Sequence, residues 1–145
     1  MKLDVRYGHN PRDVKSYDTT SLRDQFLVPE VFRPGELRLT YTHVDRVIFG
    51  GAMPGGERLA LAGGKELGTE RFLDRRELGI INIGGPGRVI LDGRAETLAK
   101  GDGLYVGMGV GSVGFESEDA SDPAKLYLMS CPAHHAYPVT KIELA

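Results

Sequence analysis

Short stretches in which apolar and polar residues alternate dominate the chain from residue 36 onwards. Residues 36–42 alternate strictly, with Leu37, Leu39 and Tyr41 on one face, and this period of two predicts a half-buried strand. Further short strands are predicted at residues 47–49, 58–61, 78–83, 89–91, 94–98, 104–106, 113–117, 125–130 and 139–144. About ten short strands with close turns predict an all-β fold of antiparallel strands, either a sandwich or a barrel.

Glycine separates these strands. The chain has 20 glycines in 145 residues, about 14% against an average of about 7%. Such density indicates tight turns, because glycine readily adopts a positive φ. Asp92-Gly93, between two of the predicted strands, is the strongest hairpin signal in the chain.

The first part of the chain has a different pattern. Residues 1–20 are polar and weakly patterned, and Ser21-x-x-Asp24 before Phe26 resembles the capping box of a short helix that Pro29 ends. We therefore predict an N-terminal arm with a short helix at residues 1–35 and a β-domain at 36–145. The whole length suits about one domain.

Charge and cysteine content narrow the function classes. The 18 Lys and Arg residues against 20 Asp and Glu give a net charge of -2, which does not indicate binding to nucleic acid or to a membrane. No apolar run approaches the roughly 20 residues that span a bilayer, and Met1 to Asp4 do not begin a signal peptide. Cys131 is the single cysteine, which favours the reducing cytoplasm.

Two short motifs have competing interpretations. Gly109-x-Gly111-x-x-Gly114 spells the dinucleotide-binding fingerprint, but a β pattern follows where that fingerprint needs a helix, so turn glycines are favoured. His43-x-Asp45 places an imidazole and a carboxylate on one face if the segment is a strand, as a general-base pair requires. The alternative is a solvated strand end.

Arg75, Arg76 and Glu77 stand where a strand begins. A pair of arginines suits a substrate carboxylate, because guanidinium and carboxylate match in a bidentate geometry. The alternative is a surface ion-pair cluster. Strand alternation predicts that Arg75 and Glu77 share one face and that Arg76 lies on the other. If the face of Glu77 is the inner one, we expect its carboxylate to pair with an arginine or with backbone amides, because an unpaired buried charge is costly.

A metal site within the chain is not indicated. Cys131-x-x-His134-His135 offers soft ligands, but a zinc site needs three or four, and His9 and His43 lie far away in sequence. We therefore expect no metal ligands and no cofactor in this chain, and a small buried cysteine at Cys131.

The order of elements from Glu77 to Gly109 resembles the cupin pattern, a jelly roll: a strand, a glycine-rich turn, an Asp-Gly hairpin, a second glycine turn and Leu104-Tyr-Val-Gly107. Catalytic cupins carry histidines and a glutamate on the first of these strands. Glu77 stands at the glutamate position, but no histidine lies between residues 44 and 133. The resemblance therefore implies a cupin-like barrel without the usual metal.

Longer segments resemble one family, the bacterial 4-deoxy-L-threo-5-hexosulose-uronate ketol-isomerases of pectin breakdown. The Arg75-Arg-Glu-Leu-Gly79 segment is the most specific, and the resemblance is carried by residues 22–28, 41–48, 50–54, 72–85, 104–109, 123–127, 132–134 and 137–138. Family members are bicupins about twice this length, with zinc ligands in the second half. The resemblance thus implies the N-terminal half of an aldose–ketose isomerase, without the metal site and inactive alone.

Two functions follow as expectations. The first is the N-terminal half of a homo-oligomeric ketol-isomerase that acts on a sugar acid and packs against a second cupin domain. The second is a stand-alone cupin module that binds a sugar acid without turnover. The candidates for catalysis are His43, Asp45, Arg75 and Glu77, and those for substrate binding are Arg75 and Arg76.

Overall fold

Two β-sheets and two short helices make up the structure, a computed structural model that describes residues 1–144. The first part of the chain contains β1 (Lys2–Arg6), α1 (Pro11–Val14) and α2 (Thr19–Phe26). The remaining strands are β2 (Glu36–Thr42), β3 (Ile48–Met53), β4 (Leu59–Ala60), β5 (Arg76–Asn82), β6 (Gly87–Leu91), β7 (Arg94–Leu98), β8 (Gly103–Val106), β9 (Val113–Ser117), β10 (Leu126–Pro132) and β11 (Thr140–Ile142). The ten strands β2 to β11 each overlap one of the ten predicted strands, whereas β1 was not predicted.

The strands form a seven-stranded sheet in the order β1-β2-β3-β10-β5-β8-β11 and a four-stranded sheet in the order β4-β9-β6-β7. Every pairing is antiparallel except that of β1 with β2, which is parallel. The fold is thus all-β with short N-terminal helices, as predicted. It is a sandwich of two sheets and not a closed barrel, and the parallel pairing of β1 with β2 departs from the predicted antiparallel arrangement.

One apolar core joins the two sheets. Leu78 and Ile80 of the large sheet and Val89 and Phe115 of the small sheet belong to the same cluster, and each is almost fully buried. Alternation along each strand places every second side chain in this layer. The core is therefore filled by aliphatic and aromatic side chains.

The Asp92-Gly93 hairpin is confirmed. Leu91 pairs with Arg94 across it, and Asp92 and Gly93 adopt φ values of 48° and 85°, as a type I′ turn requires at both central positions. The Asp92 carboxylate also accepts hydrogen bonds from the Gly111 and Ser112 backbone amides, at 3.1 and 2.7 Å. Those hydrogen bonds lower the pKa of Asp92.

The capping box was placed wrongly. The α2 helix begins earlier, with Asp18 as its N-cap, and the Asp18 carboxylate accepts a hydrogen bond from the Ser21 backbone amide at 2.7 Å. Ser21 thus lies inside the first turn. Asp18 is as good a capping residue as serine. The N-terminal arm has no regular spacing of apolar residues that would show at which of the two positions the helix begins. The predicted boundary between residues 35 and 36 stays a prediction, and Ala145 lies outside the described residues.

No helix among residues 1–144 has the length and apolar composition that a membrane crossing would need.

Candidate functional site

The side chains of β5 face alternately inwards and outwards, and Arg76 is on the inner side. Arg76, Leu78 and Ile80 are buried, whereas Gly79 and Ile81 are exposed. The alternation was predicted, but with the faces reversed, so the placement of Glu77 inside the fold is wrong. The physical reason is that Leu78 and Ile80 bury more apolar surface in the core than Gly79 and Ile81 could.

Arg76 is held inside the fold by three hydrogen bonds. Its side chain is 7% exposed. Nε donates to the Ser130 hydroxyl at 3.1 Å, and Nη2 donates to the Ser130 carbonyl at 2.9 Å and to the Arg46 carbonyl. The guanidinium carbon lies 5.6 Å from the centre of the Tyr41 ring, in a cation–π contact. Burial lowers the pKa of Arg76 below its usual value, but arginine stays protonated in proteins.

Arg76 lines a cavity of about 270 Å³, which we call the arginine cavity. Its basic lining residues are Arg46, Arg75, Arg76 and His134. Tyr41 and Thr69 add hydroxyl groups, and the apolar part of the wall consists of Leu67, Pro132 and Ala133. Among residues 1–144, no acidic side chain lines it. The geometry therefore offers several cationic donors beside a small apolar wall, an arrangement suited to a small anion.

Arg75 and Arg76 both line this cavity. Arg75 precedes β5 and is exposed, and its carbonyl accepts a hydrogen bond from the Ala133 amide at 3.0 Å. That bond holds the start of β5 against the end of β10, where His134 follows. The structure thus brings both predicted substrate-binding arginines together, and their binding role stays a prediction.

Glu77 lies on the outer face of the large sheet. Its carboxylate accepts hydrogen bonds from the Tyr105 hydroxyl at 2.8 Å and from the Cys131 thiol at 3.4 Å. No arginine pairs with it among residues 1–144. The predicted pairing with an arginine or with backbone amides is therefore wrong, because the faces of β5 are reversed.

The Glu77 carboxylate helps to raise the pKa values of the Tyr105 hydroxyl and the Cys131 thiol. Burial, reinforced by the hydrogen bond to Glu77 and its negative charge, raises the pKa of Tyr105 to about 12. The same causes, burial first, raise the pKa of the Cys131 thiol. Cys131 is therefore a protonated thiol at neutral pH, which makes it a poor nucleophile and a poor metal ligand.

His43 and Asp45 do not form an acid–base pair. The β2 strand ends at Thr42, and Asp45 and Arg46 adopt φ values of 53° and 55° in a turn, so the same-face argument for a strand does not apply. His43 stacks between Tyr7 and Tyr41, with ring centroids 4.6 and 4.9 Å apart. In the described part of the chain no hydrogen bond joins its ring to Asp45.

The metal set of catalytic cupins does not fit this chain. Within residues 1–144 no three His, Cys, Asp or Glu residues come close enough to hold a metal ion. His134 lines the arginine cavity, whereas the ring of His135 packs against Tyr137 at 5.1 Å. The buried positions of β5 carry Arg76, Leu78, Ile80 and Asn82, and none of these is a histidine, cysteine or carboxylate.

The dinucleotide fingerprint is excluded by the element that follows it. The β9 strand begins at Val113, within the motif, and Gly114 is paired with Ile90 of β6. Gly109 supplies a positive φ of 97° in the preceding turn. The interpretation as turn and strand glycines is confirmed.

Sequence reasoning missed two parts of the site. Tyr41 was assigned only to the apolar face of β2, although it also holds the Arg76 guanidinium. Arg46 lies 30 residues from Arg76 and follows the His43-x-Asp45 motif that drew attention instead. The available sequence signal for Arg46 was an arginine in a polar turn, and such arginines are common on protein surfaces.

Comparison with known proteins identifies relatives over nearly all of this chain. The ketol-isomerase 2 of Enterococcus faecalis, in full 4-deoxy-L-threo-5-hexosulose-uronate ketol-isomerase 2, is 56% identical over 98% of this chain and 51% of its own length. The 4-deoxy-L-threo-5-hexosulose-uronate ketol-isomerase of Halalkalibacterium halodurans is 53% identical over 97% of this chain and 50% of its own. The chain spans about half the length of the curated relatives it matches.

Among solved structures, an RmlC-like cupin protein from Desulfovibrio desulfuricans is similar at a TM-score of 0.44 and 15% identity, over 59% of this chain and 71% of that one. No family model matches the chain. The match to the Enterococcus faecalis ketol-isomerase 2 extends over 142 of the 145 residues of this chain. Over nearly all of its length, this chain is therefore similar to the N-terminal half of the 4-deoxy-L-threo-5-hexosulose-uronate ketol-isomerases.

Proposed function

We propose that this chain works as the N-terminal half of a ketol-isomerase that interconverts a 4-deoxy-5-keto-uronate and its 2,5-diketo isomer. The observation that supports this is the 56% identity to a ketol-isomerase over 98% of the chain. Isomerisation moves a proton between neighbouring carbons through an enediol, so that substrate and product have the same composition. The reaction needs a base and an electrophile for the developing oxyanion.

The proposed contribution of this half is structural support and substrate contact, while the base and a zinc ion belong to the other half. Inside the sandwich, the positions that face the core are aliphatic or aromatic apart from a few polar residues such as Arg76, Asn82 and Ser130. Asn82 donates hydrogen bonds of 2.9 Å each to the backbone carbonyls of Gly85 and Leu98. These polar side chains hold loops together, which is a structural role.

A second cupin domain is the proposed partner of the large sheet. Ile81, Met129 and Ile142 project from the outer face of that sheet and are 51, 53 and 62% exposed. Ile81 and Ile142 both pair with Gly103 of β8 and thus lie in one row across the sheet, and Met129 pairs with Gly79, two residues before Ile81. Exposed apolar patches of this kind mark interaction surfaces, and the relatives contain about as much chain again.

The proposal extends to a homo-oligomer in the cytoplasm. The stand-alone sugar-acid module is not favoured, because the relatives matched are isomerases of twice this length. The free Cys131 suits a reducing compartment.

The test compares this 145-residue chain with a relative of full length, such as the Enterococcus faecalis enzyme. Both are purified and given the 4-deoxy-5-keto-uronate, and isomerisation is followed by separation of the two isomers. We expect turnover by the full-length enzyme, none by the chain, and no stoichiometric zinc in the chain by elemental analysis. Turnover by the 145-residue chain above that of a mock preparation would overturn the proposal that the base and the zinc ion belong to the other half.

A second arm tests whether the chain belongs to such an enzyme. The 145 residues replace the matching half of the Enterococcus faecalis enzyme, and the chimera is assayed in the same way. A chimera that retains activity supports the proposed function. A folded chimera without activity contradicts it.

A further inference from the structure

Three arginines line the arginine cavity without a carboxylate partner. Arg46, Arg75 and Arg76 form no salt bridge with any acidic residue in the part of the chain that the structure describes. A buried charge without a counter-charge is costly. The protein therefore maintains a concentration of positive charge here that its own side chains do not neutralise.

A second cavity in the same sheet shows the contrast. It measures about 170 Å³ and is lined by Arg6 and Arg38. There, Arg6 pairs with Asp4 at 2.8 Å and Arg38 pairs with Glu30 at 2.7 Å. The charges of that cavity are already satisfied, so it offers an anion no comparable site.

Arg76 is pre-organised to bind a ligand. Its Nε and Nη2 atoms are fixed by Ser130 and by the Arg46 carbonyl, and Tyr41 lies against the guanidinium. The two N–H groups on Nη1 have no hydrogen-bond partner among residues 1–144, and Nη1 is not among the fully buried polar atoms that lack one. Nη1 therefore remains accessible from the cavity, on a side chain whose orientation is already set.

We propose that the arginine cavity binds the carboxylate of a single small sugar acid, with Arg76 Nη1 and the Arg75 guanidinium as its donors. The sugar-acid class rests on the proposed function, whereas the anion site rests on the unpaired arginines alone. This site is additional to the catalytic centre proposed for the other half.

The remaining lining residues suit such a ligand. Leu67, Pro132 and Ala133 provide an apolar wall for the carbon face of a sugar ring, and the hydroxyls of Tyr41 and Thr69 are available to its hydroxyl groups. Thr69 already donates to the Arg71 carbonyl at 2.8 Å, so its oxygen is left as an acceptor. A cavity of about 270 Å³ lies just below the usual range of small-molecule sites, about 300–1,000 Å³, and thus suits one sugar unit.

The experiment is a titration of the isotope-labelled 145-residue chain, followed by amide chemical shifts. D-Glucuronate is compared with D-glucose, which differs by having an alcohol in place of the carboxylate, and with inorganic phosphate. We expect saturable shifts with glucuronate at the amides of Arg75, Ala133 and His134, and none with glucose. Equal shifts with glucose, or tighter binding of phosphate than of glucuronate, would overturn the proposal.

Matched variants locate the site. Arg75→Gln and Arg46→Gln change exposed side chains, so the fold should survive. Loss of a charge-assisted hydrogen bond should weaken glucuronate binding about tenfold in Arg75→Gln, and loss of nearby charge should weaken it less in Arg46→Gln. Arg12→Gln, in α1 and outside the cavity lining, is the control and should keep the original affinity.

The outcomes separate this inference from the proposed function. If Arg12→Gln weakens binding as much as Arg75→Gln, binding reflects general surface charge and the inference fails. Because binding is measured without turnover, an inactive chimera with glucuronate bound at Arg75 overturns the isomerase role alone. An active chimera without that binding overturns the anion site alone.

Discussion

Arg76 and Glu77 are consecutive in the chain, yet their side chains lie on opposite faces of the large sheet and do not interact. Arg76 points into the sandwich, where Ser130 and the Arg46 carbonyl accept its hydrogen bonds. Glu77 points outwards to Tyr105 and Cys131. One peptide unit thus separates the proposed anion site from the surface proposed to meet a second domain.

Replacing Arg76 should destabilise the fold. In Arg76→Met the aliphatic part of the side chain is kept, but the buried Ser130 loses its donors. An unsatisfied buried acceptor costs roughly 1–3 kcal/mol, so we expect a loss of about 2 kcal/mol in the free energy of unfolding. The measurement is a urea titration. Arg75→Gln, at an exposed neighbour, is the control and should change stability by less than about 0.5 kcal/mol.

Replacing Glu77 should cost little stability but change its neighbours. Glu77→Ala removes two hydrogen bonds at a half-buried site, so we expect a loss of about 1 kcal/mol, well below the cost of breaking a buried ion pair. In Glu77→Gln the negative charge disappears, so the pKa of Tyr105 should fall below about 12.

The Glu77→Gln variant also makes Cys131 easier to ionise. The pKa of the Cys131 thiol should fall towards its usual value while burial keeps it partly raised. Ultraviolet titration of the tyrosines and the rate of thiol alkylation measure the two effects. An alkylation rate equal to that of the parent chain would show that Glu77 does not act on Cys131.

The carboxylate of Asp102 should make stability depend on acid pH. Hydrogen bonds from the Leu144 amide, and then from the Ala99 amide, lower its pKa below 3.8 in the folded chain. A lowered folded-state pKa contributes stability that is present above the unfolded value and is lost as pH falls through the folded one. Asp102→Asn should therefore lose less stability than the parent between about pH 5 and pH 2. Parallel pH profiles in urea would disprove this.

The Asp92-Gly93 turn should depend on the positive φ of its glycine. Gly93 has a φ of 85°, and a Cβ added there would meet no atom within 4 Å, so the cost of Gly93→Ala is conformational. We expect a loss of about 1 kcal/mol relative to Gly56→Ala. Gly56 is the matched control because it also has open space but an ordinary φ. Thermal unfolding compares the two, and equal midpoints would contradict the argument.

Much of the fold follows from local patterns. The alternation of Leu37, Leu39 and Tyr41 located β2, and Asp92-Gly93 located a hairpin whose register the structure confirms. Both signals are local, because side-chain alternation and the φ preference of a turn depend on neighbouring residues. Local patterns did not predict the N-cap of α2 or the strand β1. Asp18 and Ser21 are both good N-cap residues, and β1 forms by pairing with β2, which lies far along the chain.

The chain alone specified that β5 alternates and that two arginines stand at its start. Only the packing of the two sheets decided which face of β5 is the inner one. Residues 78 to 83 carry apolar side chains at both even and odd positions, and only one of these two faces can pack into the core. The same packing placed β10 between β3 and β5. That pairing brings His134 and the Arg46 turn to the arginines of β5, and such contacts between distant segments depend on which buried surfaces fit together, a property that no local pattern contains.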